Sequence, residues 1–178
     1  MFTTLTGIVA ATRQRVDTAK RMADLRGLER SAEAHTPRGF RRALEQEART
    51  GVAVIAELKK ASPSRGMIRG TLHVGSIASG LERAGAAALS VLTEEQFFHG
   101  GLSDLAEASA ASHLPCLRKD FMVDEFQLLE ARANGADAVL LILSALDDSE
   151  FLRFRERSRE LGLDALCEVH DESELQRA

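Results

Sequence analysis

The chain has 178 residues, of which 44% are hydrophobic and 28% charged, and its formal net charge is −4. A small acidic excess without clusters of Lys and Arg gives no electrostatic reason to expect a nucleic acid as a partner. Cys116 and Cys167 are far apart and form no CxxC pair, which excludes a zinc knuckle or a thioredoxin-like motif, and the histidines show no metal-ligand spacing. No run approaches the roughly 18 apolar residues of a membrane span, and the first residues lack the pattern of a signal peptide. We therefore expect a cytoplasmic protein with no membrane partner.

Residues 1–50 are predicted to be helical. Apolar or small side chains recur there at intervals of three and four, which places them in one stripe along a helix. The stripe consists of Leu5, Ile8, Val9, Thr12, Val16, Ala19 and Ala23. The opposite, basic face is predicted to be solvated, and it carries Arg13, Arg15, Lys20 and Arg21. A second short helix is expected after Pro37, with this proline in its first turn.

From Gly51 onward, short apolar runs alternate with segments of helical pattern. The runs are interpreted as buried parallel strands and cover 52–56, 87–92, 114–117, 138–143 and 164–169. The helical segments are 74–84, 102–111, 124–133, 147–160 and 171–178. Gly85, Gly135 and Gly162 stand at the junctions from helix to strand, a position typical of helix caps. This alternation predicts an α/β fold with a parallel sheet.

Two architectures fit that pattern, an open doubly wound sheet and a closed eightfold barrel. The first strand is followed neither by GxGxxG nor by a P-loop, which disfavours nucleotide binding. Polar residues at the ends of several strands favour the TIM (β/α)8-type barrel, because such barrels build their active sites there. The prediction is a helical extension at 1–50 and a partial barrel at 51–178. Five of eight βα units are present, so the first and fifth strands are expected to be open apolar edges.

The end of the first strand combines two charges on one face. Because side chains alternate along a strand, Glu57 and Lys59 point to one side and Leu58 to the other. If helices cover Leu58, the carboxylate and the ammonium face the barrel mouth, where they could exchange protons and bind an anion. The loop that follows, 62–66, adds hydroxyl groups and a stiff turn. An ordinary ion pair at a strand end is the alternative interpretation.

Two later strands end in similar residues. Lys119 shares a face with Leu117 and could act as a general acid in the mouth, with a solvated loop charge as the alternative. Glu168 shares a face with Leu166 and has apolar neighbours, so it could be a partly buried carboxylate that acts as a base. The loop at 97–98 carries two phenylalanines, which could form the floor of an aromatic pocket or close the barrel rim.

Four segments together resemble the indole-3-glycerol-phosphate synthase family. They are IAELKKASPSRG, SVLTEEQFFHGG, LRKDFMVDEFQLLEARANGADAVLLI and CEVHDESEL. The leading GIVAATRQRV also resembles the family's N-terminal extension. The resemblance implies an eightfold barrel preceded by extra helices, and a lyase reaction without metal or organic cofactor. In that reaction 1-(2-carboxyphenylamino)-1-deoxyribulose 5-phosphate loses carbon dioxide and water and closes to indole-3-glycerol phosphate, in tryptophan biosynthesis.

The resemblance also implies a role for individual residues. By motif match, Lys119 resembles the general acid and Glu168 the base or proton partner. Glu57 resembles the carboxylate that aids dehydration, and Lys59 the cation that holds the substrate's carboxylate. The substrate contacts implied in the same way are Ser62, Phe98 and Phe121. The implied partner is a small anionic sugar phosphate with an aromatic ring.

The family's later strands supply further groups that have no counterpart in these 178 residues. They are an Asn on the sixth strand, a Glu-Ser-Gly segment on the seventh, and the loops that hold the phosphate. One hypothesis is an enzyme of this family in a truncated form, and another is an inactive fragment that needs a partner chain. A related isomerase barrel of histidine or tryptophan biosynthesis is a third alternative, which the segments 57–66 and 119–121 disfavour.

Overall fold

The computed structural model describes residues 4–178. The helices of that part are α1 (Leu5–Met22), α2 (Leu25–Ala34), α3 (Phe40–Glu47), α4 (Val74–Arg83), α5 (Leu102–Ala111), α6 (Glu125–Ala133), α7 (Asp148–Glu160) and α8 (Glu172–Arg177). The strands are β1 (Ile55–Leu58), β2 (Ala61–Ser62), β3 (Gly66–Met67), β4 (Ala88–Leu92), β5 (Cys116–Lys119), β6 (Ala138–Ile142) and β7 (Asp164–Glu168). None of the described helices is long and apolar enough to cross a membrane.

Five strands form one parallel sheet in the order β1-β4-β5-β6-β7. A helix follows each of them, so the predicted α/β class with five βα units of a barrel is confirmed. The predicted helix caps are also found, since Gly85, Gly135 and Gly162 all have positive φ. The two remaining strands, β2 and β3, pair antiparallel as a hairpin directly after β1, where the sequence predicts only a turn.

The first strand lies later in the chain than predicted. The apolar run at 52–56 suggests a strand there, but β1 begins at Ile55 and continues to Leu58. Val52 lies before the strand and its residue surface is 89% exposed, so this part of the run has no core to pack against. The same shift occurs in β5, which ends at Lys119 rather than at Leu117. Glu57 and Lys119 therefore lie inside strands, where the pairing with neighbouring strands fixes the face of the sheet to which each side chain points.

The sheet buries a different core on each face. Side chains that alternate along the strands pack outward under the helices, among them Leu58, Leu89, Val91, Val139 and Leu141. The inward-facing set is smaller and consists of Ala88, Leu117, Ala138, Leu140 and Ile142, with Phe40 of α3 packed against it. Phe40 is 2% exposed. The helices thus cover the Leu58 face, as expected, and leave the other face to form the hollow of the barrel.

The N-terminal helices differ from the prediction in one detail. Thr4 starts α1 by accepting a hydrogen bond from the Gly7 amide (3.2 Å), and a break after Met22 separates α1 from α2. The expectation that Pro37 lies in the first turn of a helix is wrong. Gly39 has a φ of 79°, which helical backbone does not allow, so α3 begins only at Phe40 and Pro37 lies in the linker before it.

The basic face of α1 is solvated as predicted at Lys20 and Arg21, which are exposed, but three of its four cations also pair with acids. Ile8, Thr12 and Val16 of the apolar stripe are buried, as expected. The pairs of the basic face are Arg13 with Glu150 (3.0 Å), Arg15 with Asp120 (3.7 Å) and Lys20 with Asp124 (2.9 Å). These acids belong to loops and helix starts that follow the carboxyl ends of the strands. The helix therefore lies across the mouth of the sheet rather than beside it.

The two outer strands are less buried than those between them. Every residue of β4 and β6 is buried, whereas Ile55 of β1 is 38% exposed and Leu166 of β7 is 37% exposed. Both side chains are apolar and lie on the inner face. The expected open edges at the first and fifth barrel strands are confirmed for residues 4–178.

Candidate active site at the carboxyl ends of the strands

Two lysines from different strands converge on one carboxylate. Glu57 accepts a hydrogen bond from Lys59 and another from Nζ of Lys119, at 3.1 Å. Lys59 follows β1 directly, while Lys119 ends β5, two strands away in the sheet. Because side chains alternate along a strand, Glu57, Lys59 and Lys119 lie on the same face of the sheet, as predicted for residues at the barrel mouth.

The environment keeps the carboxyl group of Glu57 ionised. Its partial burial raises its pKa, but the hydrogen bonds and charges of Lys59 and Lys119 outweigh that effect, and the pKa lies below the usual value for Glu. The side chain retains 30% exposure. A negative charge between two ammonium groups holds both of them at the hollow while leaving them in reach of a ligand.

The hollow of the barrel connects Glu57 and Lys119 to Glu168. It has a volume of about 480 Å³, and its lining includes Ile55, Glu57, Ser90, Leu117, Lys119, Leu140, Leu166 and Glu168. Glu168 ends β7, and its Oε1 lies 3.3 Å from Nε2 of His170. The side chain of Glu168 is 39% exposed, so it is less buried than its apolar neighbours in sequence suggest.

A second hollow of about 340 Å³, called the upper hollow, lies at the carboxyl ends of the strands and is mainly apolar. Its lining includes Leu5, Leu92, Glu94, Phe98, Phe121, Ile142 and His170. Lys119 and Glu168 line this upper hollow as well as the lower one, so the two hollows are adjacent, and together they are called the cleft. The rings of Phe98 and Phe121 lie with centroids 6.3 Å apart at 45°. The cleft thus offers two aromatic rings beside a set of acid and base groups.

Of the seven residues singled out in the sequence, six converge at the mouth. Glu57, Lys119, Glu168, Phe98 and Phe121 line the cleft, and Lys59 binds Glu57. Ser62 is the exception. Its hydroxyl accepts a hydrogen bond from the Arg65 amide (3.2 Å) within the β2–β3 hairpin, and it lines neither hollow. The hairpin itself reaches the site, since the Ala61 amide donates to the carbonyl of Phe98 (3.2 Å).

Glu94 supports the loop that carries Phe98, a role that the sequence interpretation missed. It is 2% exposed, and its carboxylate accepts hydrogen bonds from the amides of Gln96, Phe97 and Phe98, at 3.1, 2.7 and 3.0 Å. A Glu that directly follows a buried strand and precedes a short loop is the signal that could have identified it. These hydrogen bonds fix the backbone at both phenylalanines, and of the two side chains it is Phe98 that lines the cleft.

Two further features of the cleft are visible only in three dimensions. Leu5, at the start of α1, lines the upper hollow although it precedes the first barrel strand by 50 residues. At Gly100 any side chain would collide with the backbone of β4, because a Cβ atom would lie 2.0 Å from the carbonyl oxygen of Leu92. The loop after β4 can therefore fold back tightly enough to present Phe98.

Comparison with known proteins agrees with this arrangement. The family model described as "Indole-3-glycerol phosphate synthase" matches residues 5–178. The chain belongs to the indole-3-glycerol phosphate synthase family. It is 53% identical over all of its 178 residues to an indole-3-glycerol phosphate synthase of Koribacter versatilis, and it covers 68% of that protein's length. The family consists of carboxy-lyases of tryptophan biosynthesis, and the cleft at the carboxyl ends of the strands is where a barrel of this kind holds its active site.

Proposed function

We propose that the cleft carries out the acid–base part of indole-3-glycerol phosphate synthesis, with Lys119 as general acid and Glu168 as base. The observation that supports this most directly is the junction of the two hollows. Lys119 and Glu168 line both, so a substrate that spans them would have its reacting atoms between an ammonium group and a carboxylate. That is the arrangement that proton transfer in both directions requires.

The substrate's orientation follows from the polarity of the cleft. We infer that the aromatic ring of 1-(2-carboxyphenylamino)-1-deoxyribulose 5-phosphate packs against Phe98 and Phe121 in the apolar upper hollow. Its carboxylate would then pair with Lys59. Ser62 is retained as a contact only through the resemblance, because its hydroxyl is used within the hairpin.

The residues present account for each proton that the reaction moves. As the ring carbon attacks the ketone, Lys119 donates a proton to the carbonyl oxygen, and carbon dioxide leaves to restore aromaticity. The new hydroxyl group must then leave as water, which needs a second proton donor and removal of a proton by a base. Lys59 would serve as that donor, with the ionised carboxylate of Glu57 holding it in place, and Glu168 would serve as the base. No step needs an oxidant or reductant.

The open edges of the sheet indicate how the site would be completed. The unpaired sides of β1 and β7 leave Ile55 and Leu166 of the inner face exposed. We propose that three further βα units pair with these edges and supply the phosphate site, either in a longer form of this chain or from a partner chain. The alternative is a fragment that binds a partner without turnover. The cytoplasmic location and the domain boundary near residue 50 stay predictions.

The experiment that tests the proposal compares the chain alone, the chain mixed with the remaining third of the Koribacter versatilis relative, and the two joined in one polypeptide. The chain contains neither Trp nor Tyr, so the indole fluorescence of the product stands on a background to which these 178 residues contribute little. We expect indole-glycerol phosphate from the completed forms and its loss in Lys119→Ala. The matched control is Lys20→Ala, since Lys20 pairs with Asp124 outside the cleft. Equal rates for Lys119→Ala and the unchanged protein would contradict the proposal.

A further inference from the structure

Directly behind Lys119, four charged side chains form a cluster between α1, β5 and α6. They are Arg15, Arg118, Asp120 and Glu130, with side-chain exposures of 29%, 1%, 0% and 13%. The cluster contains two cations and two anions. Asp120 also lines the upper hollow, whereas the other three side chains lie on the helix side of β5. The proposed chemistry uses none of the four.

The carboxylate of Asp120 is the centre of the cluster. Its Oδ2 accepts hydrogen bonds from the hydroxyl of Thr93 (2.9 Å) and from Nη2 of Arg118 (3.0 Å). Its Oδ1 accepts from the amide of Phe121 (2.9 Å). A single buried carboxylate thus fixes the backbone on the far side of Lys119 and the start of the segment that carries Phe121.

Arg118 fixes the near side of Lys119. Its Nε donates to the hydroxyl of Thr93 (3.2 Å), and its Nη1 donates to the carbonyl of Gln127 (2.7 Å) and to Glu130 (3.3 Å). Arg118 and Asp120 are thus the two chain neighbours of Lys119, and both are fixed by the cluster. A movement of either one would shift the backbone of Lys119 and with it the Lys119 ammonium group.

Arg15 is the second cation of the cluster and comes from outside the barrel. Its Nη2 lies 3.7 Å from Oδ2 of Asp120, and this buried nitrogen has no hydrogen-bond partner among the described residues. Its contribution is therefore charge rather than a directional bond. Burial raises the pKa of Glu130, and the positive charges of Arg118 and Arg15 offset part of that rise.

Without Arg15, Arg118 would face two buried carboxylates alone. A buried charge that loses its partner is costly, and the surrounding groups move or admit water to compensate. The cation that already binds Glu130 is Arg118, whose Nη1 lies 3.3 Å from its carboxylate. If Arg118 bound Glu130 more strongly, it would move away from Asp120, and the backbone position of Lys119 between them would change.

We propose that Arg15 is a positioning residue for Lys119, which couples the helical extension to the proposed general acid by balancing the charge of the buried cluster. This inference rests on the proposed function for its kinetic consequences, but not for its structural ones. It assigns to α1 a part in the reaction at a residue that does not line the cleft.

The kinetic test uses the completed barrel. In Arg15→Met we expect kcat to fall about tenfold with KM changed by less than about twofold, since a small misplacement of a catalytic group lowers turnover more than binding. Arg15→Lys keeps the charge and is expected to recover most of kcat. Arg21→Met is the control, because Arg21 is on the same helix and, among residues 4–178, its side chain donates to the Asp17 carbonyl of α1 and to no group of the cluster.

A second substitution separates charge balance from packing. Arg15→Met combined with Glu130→Gln leaves one cation and one anion, Arg118 and Asp120, so we expect the double variant to regain kcat to within about threefold of the unchanged barrel. A side chain that acts only through packing would not be rescued in this way. An undiminished kcat in Arg15→Met, or a loss that Glu130→Gln does not restore, would overturn the inference. Failure of both variants to fold would do the same.

A structural readout keeps the test independent of turnover. The chain has four lysines, Lys20, Lys59, Lys60 and Lys119, so ¹³C labelling at lysine Cε gives this segment four resonances. We expect the Lys119 signal to move in Arg15→Met and to return in the double variant, while Lys20 on the same helix stays in place. A barrel that lacks turnover but shows these shifts would reject the proposed function and keep the inference. A Lys119 signal that does not move in Arg15→Met would reject the inference and leave the proposed function unaffected.

Discussion

The two ends of the parallel sheet each pair a carboxylate with basic side chains, but they use it differently. At the amino end, Asp137 is completely buried and accepts hydrogen bonds from Nε (2.9 Å) and Nη2 (2.6 Å) of Arg38. It also accepts from the backbone amides of Arg38 (2.6 Å) and Cys116 (2.7 Å). At the carboxyl end, Glu57 is 30% exposed and is held by two lysine side chains alone.

The difference follows from the cations. The guanidinium of Arg38 is planar and forked, and it also donates to the carbonyls of Ser109, Ser112 and Gly135, so it anchors the linker before α3 to the floor of the barrel in one geometry. An ammonium group on a flexible stem imposes no such geometry and can donate a proton, which a guanidinium cannot at neutral pH. At the amino end, an arginine and backbone amides hold the carboxylate in a rigid structural contact. At the carboxyl end, partly exposed lysines leave the site able to react.

The largest effect that would test this contrast is expected at the floor. Asp137→Asn removes the charge that Arg38 needs, and breaking a buried pair of this kind costs about 3–5 kcal/mol of unfolding free energy. Urea unfolding of the completed barrel measures it. The control is Asp148→Asn, whose side chain is 77% exposed and pairs with Arg177 at the surface. Similar losses in the two variants would refute the distinction between a buried structural contact and a surface pair.

The next largest effect is expected at the mouth of the barrel, and it concerns turnover rather than stability. Lys119→Ala should lower kcat by about 10²-fold, the lower range for general acid catalysis, because no other ammonium group takes its place in the lower hollow. Its unfolding free energy should change by less than about 1 kcal/mol, since the ion pair with Glu57 is partly exposed. A loss of stability comparable to that of Asp137→Asn would place Lys119 among the structural residues instead.

Glu57→Gln is expected to have a smaller kinetic effect than Lys119→Ala. Both lysines remain but lose the charge that gathers them, and we expect kcat to fall about tenfold, which equals about 1.4 kcal/mol of activation free energy. Because the pKa of Glu57 lies below its usual range, the carboxylate stays ionised through the neutral range. A pH–rate profile whose acid limb is unchanged in Glu57→Gln is the expected result. A limb that disappears in this variant would contradict it.

The smallest effect concerns His35, which lies 3.3 Å from Asp137 at the floor. Burial lowers its pKa below the usual value for His, and the charge of Asp137 offsets only part of this. The unfolded chain therefore binds this proton more readily, so the contribution is fully present above about pH 6.5 and is lost as the pH falls below it. Urea midpoints at pH 8 and pH 5.5 should differ more in the unchanged protein than in His35→Gln. An equal difference in both would rule out this contribution.

Local signals in the sequence were sufficient for the helices of the barrel part. Asp124, Asp147 and Asp171 cap α6, α7 and α8, and the predicted bounds of these helices differ from the observed ones by at most one residue. The start of β1 was misplaced because apolar residues continue before the strand, and hydrophobicity does not distinguish a strand from the linker that leads into it. Pairing with β4 decides that boundary, and pairing is not local.

The candidate site was predictable to the extent that it depends on alternation along strands. The face shared by Glu57 and Lys59 and the positions of Lys119 and Glu168 follow from period two and from parallel strands ending together. The contributions of Leu5 and Arg15 could not be found in this way. Each comes from α1 and reaches its partners only because the helix lies across the mouth, and nothing near either residue in the sequence records that contact.

The convergence of lysines on the mouth has a practical consequence for attaching this protein to a surface or a dye. Three of its four lysines lie at or beside the site, since Lys59 and Lys119 bind Glu57 and Lys60 binds Asp104 beside the same hairpin. Amine-directed reagents would therefore modify the site as well as Lys20, whose side chain is 50% exposed. Thiol chemistry avoids this, because burial raises the pKa of Cys116 to about 12 and also raises that of Cys167, which lowers the reactivity of both native thiols at neutral pH. A cysteine introduced at Arg159 on the outer surface of α7, where the side chain is 73% exposed, would give one point of attachment with the cleft left open.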